Sequence, residues 1–131
     1  MNSTHRPRIL VAEDNRVMGN VIRFNLERSG FDVVLVSDGQ KAMKELEHGT
    51  FDLVITDYQM PNASGEDVCR YVRFDSAHKE TPVVLVSAKG IELQTGDLIG
   101  PHRFSYVVYK PFSPQEIVRI ASEVLAPATK V

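Results

Sequence analysis

Five short runs of apolar, mostly β-branched residues punctuate the chain: Ile9-Leu10-Val11-Ala12, Val33-Val34-Leu35-Val36, Leu53-Val54-Ile55, Val83-Val84-Leu85-Val86 and Tyr106-Val107-Val108. They are nearly continuous in hydrophobicity and do not alternate, which marks strands buried on both faces of a sheet. After the first run, Met18, Val21, Ile22 and Leu26 recur at helical spacing, and Gly30 follows as a stop. Asp38 can cap a helix that presents Ala42 and Leu46 and ends near Gly49, and Val68 and Val72 mark a third helix. The last helix is the best signalled. Ser113 is its N-cap, Pro114 sits at the first helical position, Glu116 completes a capping box, and Ile117, Ile120, Ala121, Val124 and Leu125 form its apolar stripe. Strand followed by helix, five times over, predicts an α/β fold with a doubly wound parallel sheet and helices on both faces. Residues 89–101 fit this scheme least. Gly90, Gly96, Gly100 and Pro101 fall where a helix is due, and each interior glycine costs about 1 kcal/mol against alanine, so a short or irregular helix is expected.

A chain of 131 residues fits a single domain over residues 1–131, with a core of about 8–125 and loose ends at 1–7 and 127–131. Apolar residues at 43% and charged residues at 24% give the balance of a soluble protein. No apolar run approaches the roughly 20 residues needed to span a bilayer, and residues 1–8 lack the apolar core of a secretory signal. Cys69 is the only cysteine, which rules out an intrachain disulfide and suits a reducing cytoplasm. The net charge of −2 offers no basic stripe, so no direct nucleic-acid binding is expected. His5, His48, His78 and His102 show no metal-ligand spacing and read as surface residues.

In an open parallel sheet, chemistry gathers beyond the carboxyl ends of the strands. Glu13 and Asp14 follow the first run, Asp57 the third, Ser87 the fourth and Lys110 the fifth. Each has a plainer reading on its own. Glu13 and Asp14 can complement a helix dipole, Asp57 can form a turn, Ser87 can simply end a strand, and Lys110 can be a solvated charge. Their convergence on one edge is what those readings leave unexplained. Three carboxylates packed together repel, and a pair at about 4 Å costs about 4 kcal/mol at an effective dielectric near 20. A hard divalent cation such as Mg²⁺ removes that cost. It also neutralises an incoming phosphoryl group, so that the Asp57 carboxylate can attack phosphorus while Lys110 and the Ser87 hydroxyl hold its other oxygens.

The motifs Val11-Ala12-Glu13-Asp14-Asn15, Thr56-Asp57-Tyr58-Gln59-Met60-Pro61, Gly65, Val86-Ser87-Ala88 and Lys110-Pro111-Phe112 lie in order at the strand ends. On them the chain resembles the receiver domains of bacterial response regulators from about residue 8 to residue 125. The resemblance implies a flavodoxin-like sheet of order 2-1-3-4-5. It implies Asp57 as phospho-acceptor, with Glu13, Asp14, Asp57 and the backbone carbonyl of Gln59 as ligands of Mg²⁺, for which Mn²⁺ can substitute. Ser87 would be the switch hydroxyl, Ala88 its small neighbour, Lys110 a phosphoryl contact, and Lys110-Pro111 a cis peptide. The side chains of Gln59 and Lys89 would tune the phosphoryl lifetime. A histidine kinase or histidine phosphotransfer protein would supply the phosphoryl group, and a downstream protein or fused output domain would read it. The domain itself would be a monomer or weak dimer and a self-modifying acceptor rather than an enzyme with turnover.

Two features depart from the family pattern: the glycine-rich segment before the fifth run, and the switch aromatic. That aromatic should stand three positions before the lysine, where this chain has Val107, with Tyr106 and Tyr109 on either side. One extra residue therefore lies between Ser87 and Lys110. Loops accept insertions more readily than central strands, so Val107 is expected at the switch position, with no bulge bringing Tyr106 into it. Two other functions compete. A receiver-like interaction module would work without phosphate. An aspartyl phosphatase, or a flavin or nucleotide binder, would need a second aspartate where Gln59 stands or a glycine-rich loop where Glu13-Asp14-Asn15 stands.

Overall fold

The structure is a computed structural model that describes residues 6–74, 78–88 and 104–126. Its elements run β1 (Arg8–Ala12), α1 (Arg16–Arg28), β2 (Asp32–Val36), α2 (Gly39–His48), β3 (Leu53–Asp57), α3 (Gly65–Phe74), β4 (Val83–Ala88), β5 (Tyr106–Lys110) and α4 (Pro114–Val124). All strand pairs are parallel, in the expected order β2-β1-β3-β4-β5. The sequence of strands reverses direction between β1 and β3, which places the topological switch point over those two strands.

The uninterrupted apolar runs are explained by two cores, one on each face of the sheet. On one face Ile22 and Leu26 of α1 and Ile117, Ile120 and Ala121 of α4 pack on Ile9, Val11, Ile55, Val84 and Val108. On the other, Ala42 and Leu46 of α2 and Val68, Cys69 and Val72 of α3 pack on Leu10, Val54, Val83 and Leu85. Each valine, leucine or isoleucine among them contributes about 1.5–3 kcal/mol when fully buried.

Side-chain caps fix where the helices begin, immediately beyond the strand ends. Asn15 accepts the Met18 N–H at 2.9 Å to start α1, Asp38 accepts that of Lys41 at 2.8 Å to start α2, and Ser113 accepts that of Glu116 at 3.2 Å to start α4. After α1 the chain turns through Gly30 at φ 101, a conformation that glycine adopts without strain.

The expected irregular helix over residues 89–101, the outer ends 1–5 and 127–131, and His5 and His102 lie outside the described residues. Pro7, expected in a loose end, accepts the Asp32 N–H at 2.9 Å. His48 is exposed, but His78 is not the surface residue expected. It is 7% exposed and its Nε2 accepts the Phe51 N–H at 3.3 Å. Its ring lies near that of Phe51, so the turn before β4 folds the imidazole inward. Among the described residues no helix is long and apolar enough to cross a membrane.

Candidate functional site

Because the strands are parallel, β1, β3, β4 and β5 deliver their last residues to one edge. Glu13 follows β1 and is buried, Asp14 is exposed, and Asp57 ends β3 at 7% exposure. One carboxylate oxygen from each of Glu13, Asp14 and Asp57 lies within 4.8 Å of the others. Lys110 ends β5 and brings Nζ to 3.1 Å from Asp57 Oδ1 and 3.9 Å from Glu13 Oε1. Ser87 is fully buried near the end of β4, and the exposed Ala88 follows it. Alternation along the strands separates these groups. Asp57 follows Ile55 and Lys110 follows Val108 on the α1/α4 face, whereas Ser87 follows Leu85 on the α2/α3 face.

The backbone around the acids is fixed on both sides. The Glu13 N–H donates to the Val36 carbonyl at 3.0 Å, and the Asn15 N–H donates to Glu13 Oε2 at 3.0 Å. Beyond Asp57, the Tyr58 N–H donates to the Val86 carbonyl at 2.8 Å. Burial lifts the Glu13 carboxyl from 4.5 to about 7; the Asn15 N–H opposes the rise, and the neighbouring Asp57 adds to it. Burial also raises Asp57, and the hydrogen bond and charge of Lys110 do not cancel that effect. For Lys110, burial pulls downward, but its hydrogen bond to Asp57 and the three surrounding carboxylates hold the ammonium above its ordinary value. The cluster thus carries more negative charge than one lysine balances.

The donor set consists of hard oxygens only, the chemistry that suits a small divalent cation. The model for the response regulator receiver domain matches residues 9–122. The chain belongs to this family, the receivers of two-component systems. Over 138 residues it is 31% identical to the alkaline phosphatase synthesis transcriptional regulatory protein PhoP of Bacillus subtilis, covering 95% of this chain and 53% of that protein. It is 34% identical to the DNA-binding response regulator MtrA of Mycolicibacterium smegmatis over 117 residues, 88% of this chain and 49% of that one. The receiver thus spans about half the length of these regulators. Among solved structures it resembles the receiver domain of the sensor histidine kinase PA1611 of Pseudomonas aeruginosa, described with a magnesium ion coordinated in its active-site cleft. The TM-score is 0.79 at 26% identity, over 91% of this chain and 97% of that one.

The remaining expected positions fall as follows. Gln59 is exposed in the loop after Asp57, Lys89 lies outside the described residues, and the Lys110–Pro111 peptide is cis. β5 pairs with β4 one residue for one residue, from Val84↔Tyr106 to Ala88↔Lys110, so no bulge interrupts it. Val107 is half-buried against the α2/α3 core, on the face of Ser87. Tyr106 lies on the opposite face, 38% exposed, beside Arg119 of α4. In the sequence Asp38 signals only a helix cap, and Asn62 and Ala63 carry no signal of their own. The structure pairs Asn62 with Asp38 and packs Ala63 against Gly39, beside the site.

Proposed function

We propose that this receiver accepts a phosphoryl group on Asp57 from the phosphohistidine of a histidine kinase or histidine phosphotransfer protein. The observation that carries the reading is the convergence of Glu13, Asp14 and Asp57 within 4.8 Å, with Lys110 at 3.1 Å from Asp57. Glu13, Asp14, Asp57 and the Gln59 carbonyl would hold Mg²⁺, and Mn²⁺, with similar ligand preferences, would substitute. When bound, the cation would offset the charge of the carboxylates and of the incoming phosphoryl oxygens.

The chain's own residues supply the rest. Lys110 fixes one Asp57 oxygen and presents an ammonium to the phosphoryl group. A bond forms between the Asp57 carboxylate oxygen and phosphorus as the bond from phosphorus to the donor imidazole breaks, and the imidazole keeps the electron pair. Ser87 would donate its hydroxyl to a phosphoryl oxygen, and Ala88 would leave the space for it. Gln59 and Lys89 would govern how readily water reaches the acyl phosphate, and Val107 would fill the space behind Ser87. The protein is then its own substrate, phosphorylating and dephosphorylating itself with Mg²⁺ and turning over no other molecule. We place it in the cytoplasm as a monomer or weak dimer that does not itself bind nucleic acid, read by a downstream protein or fused output domain. A phosphate-independent interaction module would have no use for this cluster of like charge.

The test is intact mass after incubation with Mg²⁺ and a small acyl phosphate. One added phosphoryl group is expected, and none in Asp57→Asn. Equal labelling of Asp57→Asn would overturn the assignment.

A further inference from the structure

The loop that follows Asp57 is tied to an element that carries none of the site residues. Asp38, buried at the start of α2, uses both its carboxylate oxygens. Oδ1 accepts the Lys41 N–H at 2.8 Å, and Oδ2 accepts Nδ2 of Asn62 at 2.9 Å. The Lys41 N–H, with Asn62 in support, holds this carboxyl below its ordinary value. Asn62 has φ 72, the left-handed conformation that asparagine adopts more readily than most residues. Beside it the two backbones touch. A Cβ on Gly39 would overlap the Ala63 carbonyl, so only glycine permits the approach. At the far end of the loop the Gly65 N–H donates to the Tyr58 carbonyl at 2.8 Å, and a Cβ on Gly65 would overlap the Asp57 carbonyl. The segment that carries Gln59 is therefore pinned at both ends.

We propose that Asp38 and Asn62 form a latch that positions the loop after Asp57 and thereby sets the divalent-cation affinity of the site. The inference rests on the phospho-acceptor reading above. Asp38 and Asn62 touch neither cation nor phosphoryl group, so both are positioning residues. A backbone carbonyl serves as a ligand only while its loop is held in place. Opening the latch lowers the fraction of molecules that can bind, and apparent affinity falls by that fraction.

Two substitutions separate the latch from its surroundings. Asn62→Gly keeps the left-handed backbone accessible and removes the side chain. Asp38→Ser keeps a capping hydroxyl on α2 but is too short to reach Asn62. Mg²⁺ is titrated calorimetrically into the full chain, and the rate of phosphorylation from an acyl phosphate is measured against Mg²⁺ concentration. Each variant should weaken Mg²⁺ binding about three- to tenfold, and the double variant no further than the weaker single, because both act through one bond. At saturating Mg²⁺ the rate should return to within about twofold of wild type. Asp38→Asn should retain wild-type affinity, since its amide can re-pair with a flipped Asn62. A purely structural role would lower thermal stability and leave the Mg²⁺ affinity of the folded protein unchanged. Wild-type affinity in Asn62→Gly overturns the latch, and that variant decides the matter alone if Asp38→Ser does not fold. Wild-type protein that binds no Mg²⁺ overturns the phospho-acceptor reading itself.

Discussion

At Glu13, burial and the nearby Asp57 hold a carboxyl at about 7 that titrates at 4.5 when ordinarily solvated. The consequence for stability has a definite sign. Between those two values the native protein retains a proton that the unfolded chain has released, so stability falls as pH rises through the window. The upward shift of Asp57 acts in the same direction. The raised Lys110 helps at neutral pH and loses its effect only as pH climbs through its folded value, above 10.5. Without divalent cations, the free energy of unfolding measured in urea should therefore decrease from pH 5 to pH 8, by an amount on the order of 2 kcal/mol for Glu13. Glu13→Gln should flatten that profile and be the more stable protein at pH 8, since an amide oxygen can still accept the Asn15 N–H. An unchanged slope in the variant would mean that Glu13 is not the group responsible.

At the scale of elements, the register of the fifth strand sets which side chain faces Ser87. One-for-one pairing with β4 places Val107 on the Ser87 face and Tyr106 on the other, and a slip of one residue would reverse both. Tyr106→Ala should then leave the rate of Asp57 phosphorylation and the lifetime of the product within about twofold of wild type, as expected for a substitution outside the network. Val107→Ala, which opens space behind Ser87, should alter the lifetime more. A larger effect at Tyr106 than at Val107 would refute this assignment. The same strand shows why the fold was legible in the sequence. Two helical layers force nearly every strand position to be apolar, so the β-branched runs stand out, and the caps Asp38 and Ser113 precede their helices directly. The acids and lysine of the site were legible because parallel strands deliver strand-end residues to one edge. The Asp38–Asn62 bond was not, because it joins positions 24 residues apart through a left-handed asparagine that leaves no periodic signal. The burial of His78 was hidden likewise, since it depends on a turn folding under Phe51.

For the whole molecule, the edge that gathers the candidate site also gathers like charge. Strands β1 and β3 are central to the sheet, and the acids that extend them are held close against mutual repulsion. Anything that neutralises the cluster in the native state but not in the unfolded chain must stabilise every element at once, because the cores on both faces share these strands. Mg²⁺ at about ten times its dissociation constant should add about 1.4 kcal/mol, which for a domain of this size raises the thermal midpoint by about 5 °C. Asp14→Ala should behave oppositely in its two states. Metal-free, it loses one repelling charge and should unfold at or above the wild-type temperature. With Mg²⁺ it should gain little, because the remaining carboxylates hold a well-hydrated cation poorly. Scanning calorimetry of both proteins, in chelator and in Mg²⁺, separates the two contributions. An equal Mg²⁺-induced rise in wild type and Asp14→Ala would show that the cation acts elsewhere on the surface, and that Asp14 serves only the dipole of α1.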